Sequence, residues 1–174
     1  MSRRKTITDI DNRVDNLYHK LNDMAQTQVL EACRCLDDLL SEIGDSMQSE
    51  MPDNTLHYYI IELANQLYFA VSKQEELGIK EDVSKLIRQE VYNESRQASI
   101  GTVAERDAKA LLDSQYEEIV QIVYSRAYKK VKAKVDAGYE MLNALKKVMN
   151  ARLAELELSR SRYIGGNNES RGNN

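Results

Sequence analysis

The side chains able to perform acid–base, nucleophilic or metal chemistry are few, and they form no catalytic pattern. The 174 residues include two histidines, His19 and His57, and two cysteines, Cys33 and Cys35. Neither histidine follows a glutamate at the spacing used in helical di-iron sites, and two thiols alone do not make a zinc site. The paired carboxylates at residues 37–38 and 75–76 are typical of a solvated helix face. We therefore predict no catalytic residue, no metal site and no cofactor.

The composition favours a helical protein without a membrane span. Hydrophobic residues make up 42% of the chain and charged residues 30%, and there is a single proline. No stretch approaches the roughly 20 apolar residues that cross a bilayer. With only two cysteines, which we expect to be reduced, the sequence predicts a cytoplasmic protein.

Charge is unevenly divided along the chain, although the net charge is only −4. Residues 6–125 hold 10 basic and 23 acidic residues, whereas residues 126–162 hold 10 basic and four acidic ones. A cationic segment in an anionic protein is typical of a surface that binds a polyanion or an acidic protein.

Tyrosines are interleaved with these cations, a combination that suits single-stranded nucleic acid. Lysine and arginine neutralise phosphates, while aromatic rings stack on unpaired bases without reading their sequence. Two other interpretations remain open: a solvated lysine face, and a surface that docks on the acidic half of a neighbouring subunit. The residues that we expect to contact nucleic acid are Arg126, Tyr128, Lys129, Lys130, Lys132, Lys134, Tyr139, Lys147 and Arg152.

The N-terminal helix begins with a heptad pattern and is predicted to end at Gly44. Its apolar residues recur at alternating steps of three and four, the spacing of a coiled-coil seam. Such a seam mediates self-association, although an amphipathic helix that folds on its own domain shows a similar pattern. The seam that we expect to mediate oligomerisation comprises Ile7, Ile10, Val14, Leu17, Leu21 and Met24.

Two shorter helices are predicted in the middle of the chain. The first spans residues 55–77 and is expected to stop at Gly78, with Ile79 folding back onto it. The second spans residues 81–94, and a loop is expected over residues 95–101. The residues that this second helix is expected to bury are Val83, Leu86, Ile87 and Val91.

The longest predicted helix spans residues 103–158 and begins at a capping box formed by Thr102 and Glu105. A helix of this length is expected to bend or break. Its apolar stripe includes Gly138, which indicates either a close helix crossing or simple tolerance of glycine. The expected members of the stripe are Tyr116, Val120, Tyr124, Ala127, Val131, Val135, Gly138, Leu142, Leu145, Met149, Leu153 and Leu156.

Together these patterns predict an all-α fold, a helical bundle or hairpin that assembles into an oligomer. It has a coiled-coil-like N-terminal helix, short central helices and a long amphipathic C-terminal helix. The predicted division is an arm over residues 1–44, a helical core over 45–158 and a disordered polar tail over 159–174.

The run from Tyr128 to Arg152 resembles the C-terminal helix of phage recombination mediators, small helical proteins that load a recombinase onto single-stranded DNA. The resemblance implies ring-like oligomers, and a recombinase or single-strand-binding protein as further partners. It rests on lysines, an aromatic residue, spaced leucines, another lysine and a final arginine, held here by Lys132, Lys134, Tyr139, Leu142, Leu145, Lys147 and Arg152.

We therefore expect a non-enzymatic protein that binds single-stranded DNA and acts as a recombination mediator or accessory protein. The alternative is an acidic helical scaffolding or assembly protein of a virus, whose basic C-terminal helix docks a protein partner. The two differ in their response to salt, because only the DNA-binding protein releases counterions from a strand.

Overall fold

The computed structural model describes the backbone of residues 7–47 and 51–169, and the side chains of residues 15–47 and 51–161. In those residues the chain forms four α-helices and no strand, which confirms the all-α prediction. The helices are α1, Ile7–Ser46; α2, Asp53–Ala98; α3, Val103–Asp113; and α4, Gln115–Glu169.

The helices contribute to two compact units. The first unit combines Met1–Arg34 with Phe69–Val135, and the second combines Cys35–Tyr68 with Asp136–Asn174. Because α1, α2 and α4 each contribute a segment to both units, this division differs from the predicted separation of an N-terminal arm from a core.

The core of the first unit is built from small and β-branched side chains. Three of its four α4 residues belong to the stripe predicted on the long C-terminal helix, because steps of three and four keep them on one face. The fourth, Val123, was not among the predicted residues. Those buried side chains are Ala25, Val29 and Cys33 of α1, Ala70 and Leu77 of α2, Ala110 of α3, and Val123, Ala127, Val131 and Val135 of α4.

The core of the second unit consists mainly of leucines, and Gly138 lies within it. A Cβ atom built on Gly138 would be 2.7 Å from Leu67 Cδ2 and 3.5 Å from Leu36 Cδ1, so this glycine allows a close helix crossing. The Tyr59 hydroxyl donates a 3.0 Å hydrogen bond to Glu42 Oε1 and lies 2.9 Å from Ser46 Oγ, which joins α1 to α2.

The middle of the chain differs most from the prediction. No helix stop occurs at Gly78, because α2 continues through it to Ala98 as one helix. Glycine costs only about 1 kcal/mol in a helix interior, and here Gly78 lies against the ring of Tyr128 on α4. The separate helix predicted over 81–94 is therefore the last part of α2, and Ile79 points to solvent instead of folding back.

Burial predicted for that part of α2 is also wrong at three positions. Val83, Leu86 and Ile87 are exposed, whereas Ser84 is buried on the opposite face of the helix. The predicted loop over residues 95–101 is shorter, since helix continues to Ala98 and begins again at Val103.

The capping box and the expected break in the long helix are both present. Thr102 Oγ1 accepts a hydrogen bond from the Glu105 N–H, and the Thr102 N–H donates to Glu105 Oε2. The break falls at Ser114, which separates α3 from α4 and is itself buried.

Helix ends extend further than predicted in two places. The first helix ends at Ser46 and not at Gly44, and α4 continues to Glu169 through most of the segment expected to be a disordered tail. Residues 170–174 lie outside the described part of the chain. At the ends of the α4 stripe, Tyr116, Leu153 and Leu156 are exposed although they were expected to be buried.

The predicted oligomerisation seam is only partly described. The side chains of Ile7, Ile10 and Val14 lie outside the described residues. Leu17 and Met24 are 47% and 51% exposed, whereas the core-facing residues of α1 are Ala25 and Val29. Leu21 is half-buried. Of the described seam residues, Leu17 and Met24 therefore point away from the core, and the role of the seam in oligomerisation stays a prediction.

Candidate nucleic-acid interface

The first unit holds the densest run of cations, on α4. Between Ile119 and Val135 the sequence contains five basic residues and no acidic one. Three of them, Arg126, Lys129 and Lys132, are exposed. At about 100° per residue these three side chains are distributed over the side of α4 that is opposite the buried stripe.

Lys130 and Lys134 differ from these three, because both are half-buried. The Lys130 ammonium donates hydrogen bonds to Asn22 Oδ1 at 2.9 Å and to Gln26 Oε1 at 3.2 Å. Lys130 thus joins α4 to α1, and its charge is directed at neutral amides within the unit instead of outward.

Tyr128 lies in a groove that is poorly suited to base stacking. Its half-buried ring packs on Gly78, whose ideal Cβ position is 3.4 Å from Tyr128 Cε2. The groove is also lined by the acidic residues Glu75, Glu81 and Asp82. A phosphate backbone that brought a base to this ring would meet three carboxylates.

The second unit contains the other three residues predicted to bind nucleic acid. Tyr139 is 46% exposed and Lys147 is exposed. Arg152 is half-buried, and its Nη1 donates hydrogen bonds to the Met51 carbonyl at 2.6 Å and to Asp53 Oδ1 at 2.7 Å. Arg152 therefore secures the residues that begin α2.

The perturbed acidic groups belong to surface ion pairs and to a helix cap. Hydrogen bonds from Lys73 and Lys80 lower the pKa of Glu76 to about 2. The backbone N–H of Thr102 lowers the pKa of Glu105. Both shifts have structural causes, and neither group faces a nucleophile.

Sequence reasoning missed the outer face of α2. Tyr58, Ile61 and Tyr68 are exposed in the second unit, and Ile79, Val83, Leu86 and Ile87 are exposed in the first. At 100° per residue each of the two sets lies on one side of the helix, opposite the buried residues of its own unit. The signal was present in the sequence, because α2 has apolar residues on two opposite sides, but Val83, Leu86 and Ile87 were expected to be buried.

Other candidate chemistry is sparse in the residues that the structure describes. His19 and His57 are exposed, Cys33 is buried and Cys35 is exposed, and both cysteines are free. Within the described ranges, no three His, Cys, Asp or Glu side chains are grouped to hold a metal ion. None of the described helices includes a segment with the length and apolarity needed to cross a bilayer.

The fold and the site together define an all-α protein that displays a cationic stretch of one helix. Comparisons with protein-family models, with curated proteins and with solved structures found no match to this chain.

Proposed function

We propose that this protein is a non-enzymatic binder of single-stranded DNA that acts as a recombination mediator or accessory protein of phage type. The observation that carries the proposal is the acid-free cationic stretch of α4, in which Arg126, Lys129 and Lys132 are exposed together. Exposed cations that are not committed to ion pairs in the fold can exchange counterions for phosphates. The resemblance to recombination mediators supports the same role.

The residues predicted to contact phosphates are not equally suited to a mutational test. Lys130 and Arg152 make hydrogen bonds inside the protein, so charge reversal there would disturb packing as well as binding. Lys129 and Lys132 are exposed and suit a test of binding alone. Loading of a recombinase, displacement of a single-strand-binding protein and location in the host cytoplasm belong to the proposal as well.

The test is a titration of the full chain with a fluorescent oligodeoxythymidine at two salt concentrations. With three exposed cations, log K is expected to fall with log salt at a slope of about −2, at roughly 0.7 per phosphate contact. The double variant Lys129→Glu with Lys132→Glu is expected to lose most of this binding. The matched control, Arg34→Glu with Lys109→Glu, changes the net charge equally at exposed positions of α1 and α3 and is expected to bind like wild type.

The proposal fails if wild type does not retain the strand at low salt, or if both double variants bind equally well. Circular dichroism of each variant establishes that helix content is unchanged.

A second candidate is the helical assembly protein, and a specific observation favours it. The exposed apolar side of α2 suits a protein partner and offers nothing to a strand of phosphates. An assembly protein would show no retention of DNA at any salt concentration in the same titration.

A further inference from the structure

One side of the first unit combines exposed apolar residues from two helices. On α2 these are Ile79, Val83, Leu86 and Ile87, and on α1 they are Leu17 and Met24. We call this set the α1–α2 face.

The two helices are neighbours on that side. Gln28, Glu31 and Ala32 of α1 line one groove together with Glu76 and Lys80 of α2. Because α2 begins only seven residues after α1 ends, the two neighbouring helices run antiparallel. Earlier residues of α1 therefore lie beside later residues of α2.

The pairing of residues on α1 and α2 can be extended from this groove by two helical turns. Seven residues before Glu31 is Met24, and seven residues after Lys80 is Ile87. Seven residues are about two helical turns, which returns each helix to nearly the same side. Met24 and Ile87 therefore extend the same side of the helix pair, so the exposed seam residue Met24 lies beside the outer side of α2.

The area of this face is that of an interface. Six large apolar side chains, 46% to 67% exposed, present on the order of 500 Å² of apolar surface, in the upper part of the range for the largest patch on a monomer. A standard interface covers about 800 Å² on each partner, of which somewhat more than half is non-polar. The α1–α2 face thus supplies the apolar area for one side of a stable contact.

Charges around the face decide what kind of partner fits. Its exposed charged neighbours are of both signs, with acidic residues in excess, so a polyanion would be repelled. A second copy brings both signs itself and can place cations against acids, as helices with heptad seams do at the flanks of their contact. The exposed charges that border the face, at the α1–α2 groove and beside the apolar residues, are Lys20, Glu31, Lys73, Glu76, Asp82 and Glu90.

We propose that the α1–α2 face is the surface through which this protein self-associates, with a second copy of the chain as its occupant. The inference goes beyond DNA binding and does not depend on it, since the cations on α4 are not part of the face. It also adds α2, which the sequence pattern had assigned to the core, to the predicted seam.

The test compares two apolar residues of α1 that are equally exposed but lie on different sides of the helix. Met24 is 51% exposed and belongs to the face, whereas Leu30 is 50% exposed and lies about 120° away. We expect Met24→Glu, and likewise Val83→Glu with Ile87→Glu, to weaken self-association by at least about tenfold. Leu30→Glu should leave it unchanged.

The measurement is sedimentation velocity of each full-length protein over a range of micromolar concentrations. Wild type is expected at a multiple of 19.9 kDa, and the α1–α2 face variants are expected to shift toward 19.9 kDa. A wild type that remains at the monomer mass overturns the proposal, as does an oligomer that the face variants leave intact or that Leu30→Glu also dissociates. If Val83→Glu with Ile87→Glu loses helix content, the sedimentation of Met24→Glu alone decides the test.

DNA titration of the same proteins separates this proposal from the proposed function. Loss of oligomer mass without loss of binding to a short oligonucleotide supports self-association through the face. Loss of DNA retention by Lys129→Glu with Lys132→Glu, at unchanged mass, concerns the proposed function only.

Discussion

The basic residues of α4 differ in role, because some are exposed to solvent and others donate hydrogen bonds to neighbouring helices. Lys129 and Lys130 are adjacent in the sequence, yet Lys129 is exposed while Lys130 donates hydrogen bonds to Asn22 and Gln26. Arg152 likewise holds the start of α2 through Asp53. A helical wheel separates inward from outward positions, but it does not show how far a long cationic side chain bends back to a neighbouring helix.

Two helical glycines provide a test at the residue scale. Gly44, near the end of α1, has no atom within 4 Å of an ideal Cβ position, whereas Gly138 has Leu67 Cδ2 at 2.7 Å. Gly44→Ala is expected to raise the free energy of unfolding by up to about 1 kcal/mol, because alanine has the higher helix propensity. The free energy of unfolding of Gly138→Ala is expected to be at least about 1 kcal/mol lower than that of Gly44→Ala, because overpacking costs roughly 1–3 kcal/mol.

Urea denaturation followed by circular dichroism measures both variants, and each serves as the control for the other. Equal stabilisation by the two alanines would contradict the close crossing at Gly138.

Among the elements, α2 shows most clearly how tertiary contacts override a local signal. The sequence Leu77-Gly78-Ile79 has the form of a helix end, yet the helix continues through it. Leu77 is buried on one side and Tyr128 covers Gly78, so packing on α4 offsets the modest cost of glycine. The break at Ser114 was expected only from the length of the predicted helix, which does not specify where it falls.

The beginning of α3 depends on a local cap, and this predicts a stability effect. Thr102→Ala removes the hydroxyl that accepts from the Glu105 N–H, and a loss of about 1 kcal/mol in the free energy of unfolding is expected. The matched control is Thr27→Ala, because the Thr27 hydroxyl donates to the Asp23 carbonyl inside a helix and caps nothing. The free energy of unfolding of Thr27→Ala is expected to stay the same or to rise slightly.

Thermal or urea unfolding of the two threonine variants distinguishes them, and a control that loses as much stability as Thr102→Ala would argue against the cap.

The stabilisation by this cap also depends on pH. Because hydrogen bonds from Thr102 lower the pKa of Glu105, the stabilisation is present above the ordinary glutamate pKa and is lost as the pH falls through the lowered value.

At the scale of the whole molecule, two surfaces of opposite character have separate proposed roles. The cationic stretch of α4 is free of acidic residues, while the α1–α2 face is apolar with mixed charges at its border. If copies assemble through the face, one strand of DNA can be held by the cations of several copies. Linked sites of this kind raise overall affinity without any new contact, as long as the strand is long enough to reach them.

This predicts that the length of DNA matters only for the assembled protein. Val83→Glu with Ile87→Glu is expected to bind a short oligonucleotide like wild type and a long strand at least about tenfold more weakly. Fluorescence anisotropy with the two lengths measures this, and Leu30→Glu is expected to match wild type for both. Equal weakening on short and long DNA would indicate that the α2 residues contact the strand or support the fold.

The sequence by itself determined the helical class, the capping box at Thr102, the central part of the α4 stripe and the concentration of cations after residue 125. These follow from short-range spacing and composition, which act within a few helical turns. Only the tertiary structure decided that α2 passes through Gly78, that Val83 and Ile87 are exposed, and that Lys130 and Arg152 contact other helices. Each of these depends on which helices are neighbours and at what register, and a helix with apolar residues on two sides is compatible with more than one such arrangement.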